Sequence, residues 1–143
     1  MKPQRKTFAD SVTKFLEKPF KDGGIGPDAY GCAGFVWAFM KDRGKELVTQ
    51  TGHLSLANYS YVYKYMTKEQ IRDALIDVYE LNGIEIPIGK QIAGDMLIVK
   101  DRLGNHFPAI YGGNKTIIAS FLDAGVRTMK ISNGMEIVKV RRV

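Results

Sequence analysis

The chain reads as an α+β domain, with amino-terminal helices packed on a carboxy-terminal antiparallel β-sheet of about five strands. Three observations predict this class. Apolar residues recur at helical spacing in three segments before residue 83. After Pro87 the pattern changes to short β-rich runs, MLIVKD, HFPAIYGG, KTIIASF, VRTMKI and MEIVKVRRV. No helical segment interrupts those runs, which argues against the alternating βα units of a parallel sheet. With 143 residues, 45% hydrophobic and 25% charged, the chain fits a single globular domain over residues 1–143.

The elements follow in order. Thr7 and Asp10 form a capping-box pattern, and Phe8, Val12, Phe15 and Leu16 share one face of the helix that follows. Pro19 ends it, and KDGGIGPDAYG is a loop. Residues 30–43 read as a second helix with Gly44 as its stop. Cys32, Ala33, Phe35, Val36, Trp37, Ala38, Phe39 and Met40 leave that helix almost no polar face, so it is buried. LANYSYVYKYM, rich in tyrosine, fits helix or strand. Thr67 and Gln70 form a second capping box, followed by Ile71, Ala74, Leu75, Val78 and Tyr79 at helical spacing, and Gly83 is the stop. Turn residues at 101–105, 112–114 and 132–134 separate several of the β-rich runs.

Composition narrows the function. One cysteine excludes an internal disulfide framework, and there is no CxxC pair for zinc. The two histidines, His53 and His106, have no spacing that makes a metal site, and no cofactor motif is present. The net charge of +6 suits an anionic partner. The basic residues are scattered apart from KPQRK and KVRR, and no nucleic-acid module is recognisable, so nucleic acid is not expected. No apolar run reaches the length of a membrane span. MKPQRKTFADSVTKF has a basic start without an apolar core and does not read as a secretory signal.

Cys32 lies where loop becomes helix, and unpaired amides and the helix dipole favour a thiolate there. The alternative is a buried cysteine used as a small apolar side chain. His106 follows the turn DRLGN and opens a strand. From a strand start, an imidazole can reach a helix terminus packed on the sheet and exchange a proton with the thiol. A surface histidine beside a turn is the alternative. His53, in TQTGHLS, reads as a loop residue.

Together these features resemble the NlpC-type cell-wall peptidases, which are papain-like cysteine peptidases. Gly31, Cys32, Ala33, Gly34, Phe35 and Val36 match the Asp-Cys-Ser-Gly-Phe-Val type nucleophile motif of that family. Gly94 and Asp95 match its Gly-Asp before the first core strand, and His106 in HFPAIYGGNKTIIAS matches its His-Val-Gly-Ile-Tyr type strand. The resemblance covers residues 19–44 and 90–121, and residues 45–89 stand as a helical insertion. It implies Cys32 as nucleophile, His106 as base, and an oxyanion and substrate region around Tyr30, Gly31 and Ala33. It implies peptidoglycan stem peptides as substrate. The upstream GGIGPDAYGC resembles phage-tail members, which implies a tail-tip location in the virion and other phage tail proteins as partners.

Several residues depart from the family. The polar residue that orients the histidine falls here on Ile118, which cannot accept an imidazole N–H; Ser120, Asn114 and Asp123 are the nearby substitutes. Gly31 and Ala33 replace the aspartate and serine that help hold a free stem-peptide amine. The histidine strand has one extra residue and contains Pro108, which marks an edge strand or bulge. Two readings follow: a peptidoglycan-cleaving cysteine peptidase, favoured by Cys32 and His106, or a weakly active or inactive papain-like domain built into a phage tail, favoured by Ile118, Gly31 and Ala33. The first is preferred. Tyr59, Tyr61, Tyr63 and Tyr65 are packing residues or an interaction surface.

Overall fold

A computed structural model describes residues 7–21, 24–48, 50–51, 54–55, 65–132 and 134–143. Helix α1 (Phe8–Phe15) begins at the expected capping box: Thr7 Oγ1 accepts from the Asp10 amide and Asp10 Oδ2 accepts from the Thr7 amide. Helix α2 (Cys32–Asp42) starts with its apolar run, two residues later than the expected span 30–43, with Gly31 as N-cap. Strands β1 (Gln50–Thr51) and β2 (Leu54–Ser55) pair with each other. Helix α3 (Lys68–Glu80) opens on the second capping box, Thr67 with Gln70. His53, Tyr59, Tyr61 and Tyr63 lie outside the described residues.

The main sheet is fully antiparallel: β3 (Ile84–Glu85), β4 (Met96–Lys100), β5 (His106–Gly113), β6 (Thr116–Phe121), β7 (Gly125–Lys130) and β8 (Glu136–Arg142). Its spatial order is β3-β8-β4-β5-β6-β7. The five long strands are those the β-rich runs mark. The sixth, β3, is too short to show a period of its own and forms only because Ile84 and Glu85 meet Arg142 and Arg141.

The sheet has two buried faces. Met96, Ile98, Ile110, Ile118 and Val126 point to the helices, where they meet Phe15, Phe35, Phe39, Leu75 and Val78. Leu97, Val99, Ala109, Tyr111, Ile117 and Ala119 form a second core on the other face, closed by Ile86, Phe107, Phe121, Ile131, Met135 and Ile137. The Gly94-Asp95 pair fastens three strands. Asp95, buried at 2%, accepts from Arg142 of β8 at 2.8 and 2.9 Å and from the Ile92 amide at 2.9 Å. Its carbonyl accepts from the Tyr111 amide of β5.

Pro108 occupies neither an edge strand nor a bulge opposite β4. It lies in central β5, which pairs with β4 in unbroken register from Lys100↔His106 to Met96↔Ile110. The reason lies on the other flank of the strand. Tyr111 directs both its peptide groups to the β4 side, donating to Asp95 and accepting from Gly94. Alternation then turns the imino nitrogen of Pro108 toward β6. The β5–β6 ladder accordingly ends at Ile110↔Ile118, and the mouth of the sheet opens there.

Helix α3 is held to the sheet by the buried Tyr79 hydroxyl, which donates to the Leu97 carbonyl at 2.8 Å. Tyr79→Phe removes this donor and is expected to lower stability by about 1 kcal/mol, measured by urea denaturation, with the fold retained.

Candidate active site

Cys32 is the first residue of α2 and is half-buried. The loop before it is fixed by backbone bonds. Tyr30 donates its amide to Pro19 O at 3.0 Å, and Gly31 donates to Gly24 O at 2.9 Å. The Tyr30 carbonyl accepts from Ser120 Oγ at 2.6 Å, which ties the amino end of α2 to β6. Helix and loop approach so closely at Gly34 that a Cβ there would collide with the Gly24 carbonyl. No side chain among the described residues caps α2, and its first turn has no acidic residue. Of the expected oxyanion and substrate residues, Tyr30 and Gly31 have committed their amides to the loop. The amide of Ala33 has no acceptor among the described residues. Tyr30 is a packing residue, edge-on to Phe15 and Phe35. Burial, then Asp42 and Asp28, hold its phenol pKa above the usual value.

His106 is the first residue of β5. Unbroken pairing with β4 puts it on the same face as Pro108 and Ile110, the face toward the helices. Continuing the β5–β6 register brings Ser120 level with Pro108, so the amino end of α2 lies over the end of the sheet that carries His106. Cys32 and His106 thus occupy the same end of the molecule.

No orienting partner for the imidazole comes from the expected positions. His106 Nδ1 is buried and has no hydrogen-bond partner among the described residues. Ile118 is buried and pairs with Ile110. Ser120 directs its hydroxyl hydrogen to the Tyr30 carbonyl, and its oxygen makes no bond to His106 Nδ1. Asn114 sits in the β5–β6 turn with φ 49, eight residues along the strand from His106, a span of about 25 Å. Asp123 is exposed in the turn after β6.

Instead, charged residues that the sequence reading did not single out surround the ring. Burial lowers the His106 pKa below the ordinary 6.5. Arg72 of α3 and Lys100 of β4 lower it further, and Asp101 and Asp73 oppose them. A hairpin count across the DRLGN turn would have paired Lys100 with His106. Arg72 could have been placed by its helical spacing to Leu75 and Ile76. Among the described residues no group of three His, Cys, Asp or Glu could hold a metal ion.

The lowered pKa has a sign for stability. Below pH 6.5 the unfolded chain binds a proton that folded His106 resists, so this group makes stability fall as pH drops from 6.5 through the lowered folded value. His106→Gln is expected to flatten that part of the profile, read as urea midpoints at about pH 7.5 and pH 5.

Comparison with known proteins agrees with this architecture. The family model described as NlpC/P60 family matches residues 17–142. No curated protein matches the chain. An NlpC/P60 family protein from Bacillus cereus superposes with a TM-score of 0.63 at 15% identity, over 98% of this chain and 40% of that one. The NlpC/p60 domain of the peptidoglycan hydrolase SagA gives 0.60 at 19% identity, over 94% and 96% of the two chains. NlpC1 from Trichomonas vaginalis gives 0.61 at 20% identity, over 94% and 42%. This chain therefore spans less than half the length of the Bacillus and Trichomonas proteins, and at these identities the likeness speaks for the fold. A match over residues 17–142, a papain-like α+β architecture and a cysteine opening the buried helix make this chain a member of the NlpC/P60 family.

Proposed function

We propose that the chain is a cysteine peptidase that hydrolyses amide bonds of peptidoglycan, with Cys32 as nucleophile and His106 as base. One observation carries the reading: Cys32 stands at the amino end of α2, over the end of the sheet that opens with His106. Family membership supports it, and the related SagA domain belongs to a peptidoglycan hydrolase. The net charge of +6 suits an anionic wall.

The chemistry runs in two halves. His106 takes the proton of the Cys32 thiol, and the sulfur attacks the scissile carbonyl. The oxyanion forms beside the first-turn amide of Ala33 and the positive end of the α2 dipole. Collapse breaks the C–N bond, and His106 returns its proton to the departing amine, leaving a thioester on Cys32. Water, deprotonated by His106, then releases the acid and regenerates the thiol. Because the His106 pKa lies below the ordinary value, the base is unprotonated into mildly acidic solution.

Ile118, at the position expected for the orienting residue, favours a second reading, a papain-like domain of low activity serving as a phage tail component. The GGIGPDAYGC loop supports the tail-tip location for either reading. Detection in purified virions tests it, and absence from mature particles overturns it.

Purified protein is expected to release new amines from peptidoglycan, with Cys32→Ala abolishing release and the acidic limb of kcat/KM lying below pH 6.5. Equal release by Cys32→Ala would remove Cys32 from the mechanism.

A further inference from the structure

The hydroxyl expected beside the histidine acts on the other half of the candidate site. Ser120 is buried on the helix-facing side of β6, two residues after Ile118 and opposite Val126. Its Oγ donates at 2.6 Å to the carbonyl of Tyr30, two residues before Cys32. The same carbonyl accepts from the Lys21 amide at 3.2 Å. At the other end of that peptide group, the Gly31 amide donates to Gly24 O at 2.9 Å. Both ends of the Tyr30–Gly31 peptide are therefore held, and Cys32 follows it directly.

These bonds anchor the peptide to different things. Those with Lys21 and Gly24 stay within the segment 19–31. Ser120 supplies, among the described residues, the only side-chain hydrogen bond from the sheet to the 24–31 loop. Gly31, the N-cap, has no side chain to hold the helix end, and such an end frays where nothing ties it. Ser120 stands level with Pro108, which lies two residues, about 7 Å, along β5 from His106. Apolar packing brings the start of α2 to this place. The Ser120 bond sets the plane of the peptide that enters it, and it does so from the strand next to the one that carries the base.

We propose that Ser120 is a positioning residue for the nucleophile: its hydroxyl fixes the Tyr30–Gly31 peptide and so aims the Cys32 thiol at His106. The purpose rests on the peptidase reading, whereas the property controlled, the ionisation of Cys32, does not. Without the hydroxyl, the Tyr30 carbonyl keeps only the longer bond from the Lys21 amide, and the first turn of α2 loses its reference to the sheet. A thiolate turned away from the helix amides and the imidazole loses the stabilisation that lowers its pKa.

Cys32 is the only cysteine, so alkylation by iodoacetamide across pH reports on it alone. Ser120→Ala is expected to raise the apparent thiol pKa by about one unit. Ser120→Thr and Ser120→Val share a shape and differ in the hydroxyl; the first is expected to keep the wild-type profile and the second to match Ser120→Ala. Ser11→Ala controls for stability, since it removes a buried hydroxyl bond to Asp42, 2.8 Å long, at the other end of α2. Its urea midpoint is expected to fall while its alkylation profile stays with the wild type. An unmoved profile in Ser120→Ala, coincident profiles in Ser120→Thr and Ser120→Val, or an equal shift in Ser11→Ala overturns the proposal. Release of amines from peptidoglycan is read separately, with kcat expected to fall in Ser120→Ala and KM to stay within about twofold. A shifted profile without release by the wild-type protein removes the peptidase reading and leaves Ser120 its role, whereas release with an unmoved profile removes that role alone.

Discussion

Everything in this domain depends on burying α2. Phe35, Val36 and Phe39 are fully inaccessible, and Trp37 and Ala38 pack against the same core. Each large side chain withdrawn from water contributes about 2 kcal/mol, so the helix is stable only when covered on nearly every side. The sheet covers it from one side through Ile98, Ile110 and Ile118, α1 from another through Phe15, and the 24–31 loop wraps its start. A helix so enclosed cannot slide or rotate without opening the core. Its first residue, Cys32, inherits that fixity, and the thiol is placed by apolar packing.

What could be read in the sequence was what is local. Both capping boxes form because donor and acceptor are three residues apart. The five long strands follow from runs of β-favouring residues between turns, and the apolar run beginning at Cys32 announced its own burial. Distant pairings stayed hidden. The Ser120 hydroxyl finds its acceptor in a carbonyl 90 residues away, a pairing invisible along the chain. Pro108 sits in a central strand because its nitrogen faces the neighbour that has already stopped pairing, a fact set by strand order. The two cations beside His106 come from a helix and from the opposite arm of a hairpin, and their meeting is a product of folding alone.

The candidate site departs from the familiar triad in a consistent direction. An acceptor on Nδ1 would hold the ring and raise its basicity. Here Nδ1 has no acceptor, and burial together with Arg72 and Lys100 lowers the basicity instead. Ring placement falls to packing under α3 and to the rigid pairing of β5 with β4. Glycine and alanine flanking the cysteine remove the charge that would greet an amine.

The position of β8 constrains the order in which the chain can mature. This last strand lies inside the sheet, between β3 and β4, and Arg142 closes over Asp95 from it. During synthesis, β4 to β7 emerge first and can pair as a meander, but β4 then presents a bare edge and Asp95 an unpaired carboxylate. The sheet is complete only when residue 142 has cleared the ribosome. Until that moment the nascent domain carries an open strand edge over a half-covered second core, the kind of surface that invites wrong partners. Placing a central strand last makes acquisition of the native sheet a single late event.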